Sequence, residues 1–367
     1  MSDERFGTFF LPGPTEVRRE VLEAMLQPMI AHRGAAFEEL FGRIQSGLRT
    51  VLRTSRMPYV SSSSATGLME AAVRNAPPGK ILSLVNGAFS ERFADIARAC
   101  DREVETVAVP WGGICDPTDV ERVLQRASYS AVTVVHSETS TGALTDVQAI
   151  ARVAHENGAV VLVDSVSGAG GAPLETDDWQ LDFVLTGSQK AFALPPGLAF
   201  GVASASFVAG AAASSSRGRY FDLMEFERYG LKQQTPNTPA LSLLYALDVQ
   251  LKAMLAEGME ARWERHAQMA QRTHQWVADT SRATGLSLGI LAAASSRSPT
   301  VTNVSLPPHV PSAAVVNGAA ERGYVIGDGY GPLRGRSFRI GHMGDHTLDT
   351  LDGCLEVCGR VLAAKDR

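Results

Sequence analysis

A carboxylate and a lysine close two apolar segments of the chain. The run Val160–Val163 ends at Asp164, and the run Phe183–Leu185 leads into Thr186–Lys190. A carboxylate at the end of a buried strand can bind a metal, act as a base or pair with a cationic ring nitrogen. A lysine among apolar neighbours is poorly solvated, which lowers its pKa and makes its amine a nucleophile. The residues alone leave two ordinary alternatives open, a capping aspartate and a solvated surface lysine.

A hydroxyl-rich segment has the pattern of an anion site. Ser61–Gly67 reads Ser-Ser-Ser-Ser-Ala-Thr-Gly, and it lies between an apolar run and the helical pattern Leu68–Arg74. Hydroxyl and backbone N–H groups that converge at a helix N-terminus suit a phosphate dianion. An ordinary serine-rich loop with an N-cap has the same composition. The sequence lacks the nucleotide P-loop motif and has no Gly-x-Gly-x-x-Gly after the first strand.

Charge and composition exclude several classes of partner. The chain has 34 Lys and Arg against 39 Asp and Glu, a net charge of −5, so we expect no nucleic acid partner. The start Met1–Arg5 does not resemble a signal peptide, and no apolar run approaches the length of a membrane helix. We therefore expect a cytoplasmic protein without a membrane partner.

Metal binding is not expected. His342, Asp345 and His346 lie close in sequence, but they stand beside a helix start at which Asp345 is predicted to be the N-cap. The four cysteines are scattered, and the spacing of Cys354 and Cys358 is typical of a buried helix face rather than of a metal site.

Apolar runs alternate with amphipathic stretches, and this order predicts an α/β fold. Strands separated by helix-length segments indicate a parallel sheet covered on both faces, with ligands beyond the carboxyl ends of its strands. The strand candidates are Met57–Ser62, Lys80–Val85, Val104–Val109, Ala131–His136, Ala159–Asp164 and Phe183–Thr186. The helix candidates are Val17–Met25, Phe37–Leu52, Glu91–Cys100, Thr118–Arg126 and Val147–Asn157.

The second half of the chain predicts a smaller mixed unit. Gly210–Ser216 is small and polar, which favours a loop, and a long helical pattern over Pro239–Thr284 is expected to break near Gly258. Strands are predicted near Thr300–Ser305, Tyr324–Ile326 and Ser337–Gly341, and helices at Ser312–Arg322 and Thr347–Ala364.

Taken in order, short motifs along nearly the whole chain resemble those of one family, the pyridoxal-phosphate-dependent class V aminotransferases of the alanine–glyoxylate and serine–pyruvate type. These motifs are Pro12-Gly13-Pro14 with His32-Arg33, Ser64–Glu70, Asn86–Phe89, His136–Gly142, Asp164–Val166, Gly187–Lys190, Thr235–Pro239 and Phe338–Gly341. The resemblance implies a fold-type I transferase whose large domain, 16–245, holds a mostly parallel seven-stranded sheet between helices. It also implies a small C-terminal α/β domain, 246–367, and an N-terminal arm, 1–15, that lines the active site.

The resemblance assigns two catalytic residues and the walls of a cofactor site. Lys190 would form an imine with pyridoxal 5'-phosphate and shuttle a proton between the substrate Cα and the cofactor C4′. Asp164 would pair with the protonated pyridine nitrogen. Phe89 and Val166 would pack on opposite faces of the ring, and Thr139 would hydrogen-bond the ring 3′-oxygen.

The resemblance also assigns two anion-binding groups. Ser64, Ala65, Thr66 and Gln189 would hold the cofactor phosphate through hydroxyl, amide and backbone donors. Arg339 would bind the substrate α-carboxylate in a bidentate pair, for which the planar guanidinium is suited.

The sequence departs from the family pattern at two positions. Phe89 stands where relatives often carry tryptophan, so the stacking remains but the indole donor is lost. Lys232 stands where relatives often place a tyrosine that reaches the cofactor phosphate of the neighbouring subunit, together with Thr235. An ammonium could serve the same phosphate or point to solvent. Because the family places this segment at the cofactor phosphate of the neighbouring subunit, the resemblance implies a homodimer with shared active sites.

The implied function is transfer of the amino group of alanine or serine to glyoxylate or pyruvate. A second anionic group on the substrate would need another fixed cation, and the sequence offers Arg33, Arg334 and Arg336 as candidates, so small donors are expected over aspartate, glutamate or phosphoserine. Transamination of 2-aminoethylphosphonate with pyruvate is an alternative. A lyase is disfavoured because the Gly327–Arg336 loop has no cysteine, and a non-catalytic protein would be expected to lose Lys190 or Asp164.

Overall fold

A computed structural model describes residues 6–214 and 217–364. Met1–Arg5, two residues of the expected Gly210–Ser216 loop and the last three residues lie outside the described part. The helices are α1 Arg19–Glu23, α2 Ala35–Leu52, α3 Ala65–Asn75, α4 Ala88–Ala99, α5 Pro117–Leu124, α6 Val147–Glu156, α7 Ala205–Ala212, α8 Leu223–Gly230, α9 Leu241–Glu257, α10 Met259–Thr284, α11 Ser312–Ala320 and α12 Leu348–Ala363. The strands are β1 Phe9–Phe10, β2 Pro58–Ser61, β3 Ile81–Val85, β4 Val104–Ala108, β5 Ala131–Val135, β6 Ser137–Glu138, β7 Ala143–Leu144, β8 Val160–Asp164, β9 Phe183–Gly187, β10 Ala199–Ala203, β11 Gly289–Ile290, β12 Thr302–Ser305, β13 Val325–Asp328 and β14 Ser337–Ile340.

The larger sheet has seven strands in the order β2-β10-β9-β8-β5-β3-β4. Only β10 runs antiparallel to its neighbours, β2 and β9, whereas the other pairs are parallel. The prediction of a mostly parallel seven-stranded sheet is therefore confirmed. Asp164 and Gly187, the last residues of β8 and β9, lie at the same edge of the sheet, and the chain reaches Lys190 three residues after β9.

Helices cover both faces of this sheet, because successive side chains of a strand point to opposite faces. Within β8, Val161 and Val163 pack into one hydrophobic cluster, which also holds side chains of α2, α6 and α9. Leu162 packs into a second cluster with side chains of α3 and α4. Both faces are buried, which explains why the central strands carry almost no polar alternation.

The smaller sheet has the order β1-β13-β14-β12-β11 and packs with α11, α12 and part of α10 around a third cluster. Its edge strand β1 comes from the N-terminal arm, where Phe9 and Phe10 pair in parallel with Val325 and Ile326. The arm is thus part of the small sheet and passes from it toward the large one.

The division at residue 245 stays a prediction. The expected helix break is found at Gly258, whose φ of +83° separates α9 from α10. Leu247, Leu251 and Met254 of α9 pack in the core of the large sheet, whereas Met269 and Trp276 of α10 pack in that of the small sheet. We propose that Gly258 is the boundary between the two domains.

Two local expectations were wrong. Gly210, expected in a loop, lies in α7, which continues to Ala212 because its alanine-rich sequence favours a helix. Asp345 does not cap a helix: Thr347 caps α12, and Asp345 instead forms ion pairs of 2.6 Å with Arg18 and 2.9 Å with Arg262. The charge of the buried Arg262 requires a carboxylate partner, which takes precedence over capping.

Among the described residues, no helix combines the length and the apolar composition needed to cross a bilayer. In the same part of the chain, no group of three or more histidine, cysteine or acidic side chains is arranged to hold a metal ion.

Candidate active site

A cavity lies beyond the carboxyl ends of β8 and β9, where a doubly covered parallel sheet binds its ligands. It brings together both predicted catalytic residues and seven of the predicted cofactor ligands. The lining residues are Ser64, Ala65, Thr66, Met69, Phe89, Arg92, Val135, Ser137, Thr139, Asp164, Val166, Ser167, Gln189 and Lys190.

Asp164 is a buried carboxylate without a cation beside it. It is 2% exposed and accepts a hydrogen bond of 2.7 Å from the Val166 N–H group. Within the described part of the chain, Asp164 forms no ion pair within 4.0 Å. Burial raises the pKa of Asp164 to about 7. Such a site favours a ligand that brings its own positive charge close to this carboxylate.

Lys190 is buried opposite this carboxylate and held by the N-terminal arm. Its Nζ donates a hydrogen bond to the Pro12 carbonyl, and the Thr15 hydroxyl donates to the Lys190 carbonyl at 2.9 Å. Burial, and after it the charge of Arg339, lowers the pKa of Lys190 to about 7. A large fraction of Lys190 is therefore a neutral, nucleophilic amine near neutral pH.

Gly13 makes this approach of the arm possible. It has a φ of +94°, and a Cβ at this position would lie 2.5 Å from the Cδ, Cε and Nζ atoms of Lys190. Any larger residue would therefore be both strained and in contact with the amine. The resemblance of Pro12-Gly13-Pro14 to the family motif thus has a steric reason.

The hydroxyl-rich segment forms the N-terminus of α3. The helix begins at Ala65, three residues earlier than predicted, with Ser64 as its N-cap. The N–H groups of Ala65 and Thr66 therefore belong to the first turn, which has no intrahelical acceptors for its donors. Because Gln189 lines the same cavity, this corner offers a cradle for an anion.

Phe89, Val166 and Thr139 all line the cavity, and their contacts with a cofactor stay a prediction. The Thr139 hydroxyl is engaged with the hydroxyl of Ser167, a residue that sequence analysis did not single out. Ser167 stands three residues after Asp164, so its position just beyond the same strand end could have identified it.

Glu138 positions Phe89, a role that the sequence did not reveal. Its buried carboxylate accepts hydrogen bonds from the N–H groups of Phe89, Ser90 and Ser140 at 3.1, 2.9 and 3.1 Å. Two of these donors belong to the first turn of α4, where a negative charge also interacts favourably with the helix dipole. The hairpin β6–β7 thereby fixes the helix that carries Phe89.

Arg339 reaches the site from the small sheet. Its Nε donates to the Asp328 carbonyl at 2.9 Å and its Nη1 to the Thr139 carbonyl at 3.3 Å. Within residues 6–214 and 217–364, no carboxylate lies within 4.0 Å of its guanidinium. The charge of Arg339 is therefore held in place and left available for an anionic ligand.

Two predicted cofactor residues lie away from this cavity. Thr235 is buried beside a separate recess near Ser61 and Pro239, where its hydroxyl donates to the Asn237 carbonyl. Lys232 is exposed, with its Nζ 6.0 Å from the centre of the Tyr229 ring. Their assignment to the cofactor of a partner subunit stays a prediction.

Arg33 and His136 do not line the cavity, and both are engaged by other groups of the protein. Arg33 donates to the Thr235 and Pro236 carbonyls at 2.7 and 3.2 Å, so it braces the segment that carries Thr235. His136 does not line the cavity; its Nδ1 lies 2.9 Å from the Ser165 hydroxyl, and burial lowers its pKa to about 4. It is a neutral structural group behind the strand ends.

Arg92 also lines the cavity, and the sequence did not single it out. Among the described lining residues, it is the one charged residue that was not predicted. It is half-buried in the cavity wall and follows Phe89 by three residues on α4. Residues three apart share one face of a helix, so this spacing could have identified it.

Comparison with known proteins identifies the family to which this chain belongs. The family model described as "Aminotransferase class-V" matches residues 9–323. The chain belongs to this family. The predictions of a class V aminotransferase and of its fold are therefore confirmed, and the enzyme moves an amino group between an amino acid and a keto acid.

Three known proteins are similar to this class V aminotransferase over most of their length. The serine–glyoxylate aminotransferase of Methylorubrum extorquens is 32% identical, over 92% of this chain and 86% of its own. The L-aspartate–glyoxylate aminotransferase of Paracoccus denitrificans is 31% identical, again over 92% and 86%. The crystal structure of the alanine–glyoxylate aminotransferase of a Nostoc species is 28% identical, with a TM-score of 0.90 and coverage of 100% of this chain and 97% of the other.

The low pKa of Lys190 predicts how cofactor uptake depends on pH. Only a neutral amine attacks an aldehyde, so the rate of pyridoxal phosphate uptake by the apoprotein should rise from pH 6 to 8 with a midpoint near 7. Arg339→Gln should move this midpoint upward because it removes a neighbouring positive charge. Stopped-flow absorbance measures the uptake rate of the wild type and of the variant at each pH. A wild-type rate that keeps rising to pH 10, as for an ordinary lysine, would contradict the assignment.

Proposed function

We propose that this aminotransferase transfers the amino group of alanine or serine to glyoxylate or pyruvate with pyridoxal 5'-phosphate as its cofactor. The observation that carries the proposal is the unpaired buried carboxylate of Asp164, which faces the same cavity as the low-pKa amine of Lys190. Together with the anion cradle at α3, these groups meet the three chemical requirements of one cofactor.

The donor set fits pyridoxal phosphate at each of its polar ends. A protonated pyridine nitrogen would supply the cation that Asp164 lacks, and the first-turn N–H groups of Ala65 and Thr66 would hold the phosphate. The neutral amine of Lys190 would attack the aldehyde carbon of the cofactor. When bound, the cofactor supplies an electron sink for charge that develops at the substrate Cα.

The protein's own groups then bind, orient and move a proton. Phe89 and Val166 would fix the plane of the ring, and Thr139 would donate to its 3′-oxygen. Lys190, whose pKa is lowered to about 7, would take the proton from the substrate Cα and deliver it to the cofactor C4′. Asp164 would hold its negative charge beside the ring nitrogen and so would keep that nitrogen protonated.

Arg339 would bind the α-carboxylate of the substrate. Its backbone contacts hold the guanidinium in place, and a carboxylate would complete the pairing of a half-buried cation. The charge of Arg339 also lowers the pKa of Lys190, so the proposed carboxylate site and the amine are electrostatically linked.

The similar proteins support the acceptor more than the donor. All three are named for glyoxylate, whereas their donors are serine, L-aspartate and alanine. A screen of these donors and 2-aminoethylphosphonate against glyoxylate and pyruvate, with product detection, tests the proposal. Absence of turnover with every pair would contradict it.

We also propose a homodimer with shared active sites in the cytoplasm. Leu22, Leu26 and Met29 are large apolar side chains exposed in and after α1, and Leu231, the neighbour of Lys232 in sequence, is 76% exposed. In a dimer, Lys232 and Thr235 would approach the cofactor phosphate of the partner. The four cysteines are free, which suits a reducing compartment.

Replacing Asp164 should separate catalysis from folding. In Asp164→Asn we expect turnover to fall at least a hundredfold, since a neutral amide does not keep the ring nitrogen protonated. Burial raises the pKa of Asp164 to about 7, above the value of 3.8 for an ordinary aspartate, so the wild-type carboxyl costs the apoprotein stability as pH rises through 7. The apo variant should therefore be at least as stable as wild type at pH 8. Steady-state kinetics and thermal unfolding measure these effects.

The exposed Asp119→Asn provides the matched control, with unchanged turnover expected. If Asp164→Asn retained turnover within threefold of wild type, the assigned pairing with the cofactor would be wrong.

Lys232 should link cofactor retention to assembly. We expect Lys232→Gln to weaken pyridoxal phosphate binding at least fivefold and to reduce its salt dependence, because one positive charge near a dianion is lost. Lys252→Gln, another exposed lysine, should bind as wild type does. Equilibrium dialysis with sedimentation velocity measures both properties. A stable monomer that holds the cofactor as tightly as the dimer would refute shared sites.

A further inference from the structure

Four side chains form a continuous row of contacts, of which Phe89 and Arg92 line the cavity and Tyr330 and Arg339 lie behind them. The ring centres of Phe89 and Tyr330 are 5.4 Å apart. The Arg92 guanidinium lies 5.0 Å from the centre of the Phe89 ring, and its Nη2 lies 3.3 Å from the Tyr330 hydroxyl. The Arg339 guanidinium lies 5.5 Å from the centre of the Tyr330 ring. Two cations therefore flank one tyrosine, and the Phe89 ring that this tyrosine contacts has its centre 5.8 Å from the Lys190 Nζ.

Neither cation is neutralised by the protein. In the part of the chain that the structure describes, no acidic group lies within 4.0 Å of the guanidinium of Arg92 or Arg339. The nearby acidic groups are engaged elsewhere. Glu138 binds the first turn of α4, and Asp328 accepts hydrogen bonds from the Ser312 hydroxyl and the Gly329 N–H group. A guanidinium has five donors, and Arg92 has most of its donors left for a ligand.

The charge of Arg92 also reaches the reacting groups. Burial is the main cause of the pKa shifts of Lys190 and Asp164, and the positive charge of Arg92 acts to lower both pKa values. Arg92 is thus placed in the electrostatic field of the cavity as well as in its wall.

The cations that the sequence suggested for a second anionic group are placed elsewhere. Arg33 donates to backbone carbonyls near Thr235, and Arg334 and Arg336 are exposed. Arg92 was not among them. Because Arg92 lines the cavity, a second carboxylate of the donor has a cation to bind, which the expectation of donors with a single carboxylate did not include.

We infer that Arg92 binds the side-chain carboxylate of a dicarboxylic amino donor of aspartate size while Arg339 binds its α-carboxylate. This inference rests on the proposed function and extends its donors beyond alanine and serine. The cofactor phosphate has its own donors at α3 and Gln189. Arg92 instead contacts Tyr330, on the segment that links β13 to the Arg339 strand β14, so it faces the substrate end of the cavity.

Binding of unreactive acids to the holoenzyme tests the inference. Succinate carries two carboxylates and butyrate carries one on a chain of the same length, and each is titrated by the change in cofactor absorbance. We expect wild type to bind succinate at least thirtyfold more tightly than butyrate. Arg92→Gln should reduce this preference at least tenfold, whereas Arg98→Gln, an exposed arginine of the same helix paired with Asp95, should keep it. Arg92→Lys should retain an intermediate preference.

Kinetics and cofactor affinity complete the test. In Arg92→Gln the ratio of kcat/KM for aspartate to that for alanine should fall at least tenfold. An unchanged ratio, or an equal loss for both amino acids, would overturn the inference, since Arg92 would then only support Tyr330. A loss confined to the affinity for pyridoxal phosphate would also overturn it, since Arg92 would then bind the cofactor phosphate. Should no donor react while succinate binding depends on Arg92, the anion site stands and the proposed transamination fails.

Discussion

The arrangement depends on one electrostatic constraint, the burial of Asp164 and Lys190 at the same edge of a parallel sheet without direct neutralisation. Burial alone would drive each group toward its neutral form, which gives both a pKa near 7. The cost of such burial is tolerated where a ligand with a complementary charge offsets it. A cofactor with a cationic ring nitrogen at one end and an aldehyde near the other would satisfy both groups at once.

The surrounding structure serves to hold this pair away from water. The N-terminal arm starts as an edge strand of the small sheet and then crosses the cavity, where Gly13 permits its close approach to Lys190. Glu138 accepts hydrogen bonds from the first turn of the helix that carries Phe89 and Arg92, and so holds this helix in place. Arg339 arrives on the small sheet, so the substrate end of the site is assembled from both sheets and depends on their packing.

The strands of the large sheet and the residues at their ends could be predicted because the signal is local. An apolar run followed by Asp164 or by Lys190 identifies both a strand and its functional edge, and Ser64–Thr66 is recognisable as a helix start. Glu138 and Arg92 could not be assigned a role in this way, because their roles depend on contacts with α4 and with the segment around Tyr330, far apart in sequence. Strand β10 was missed because its small residues, Ala199 and Gly201, lack the β-branched composition typical of a strand.

The central claim is that Lys190 is the point of attachment of the cofactor, and peptide mass spectrometry after borohydride reduction of the holoenzyme tests it most directly. The chain has few lysines to distinguish: Lys80, Lys190, Lys232, Lys252 and Lys365. The account predicts one pyridoxyl phosphate group per chain, on the peptide that contains Lys190, and none in Lys190→Ala treated alike. Attachment mainly at Lys232 or another lysine, or no stable attachment at all, would contradict the account.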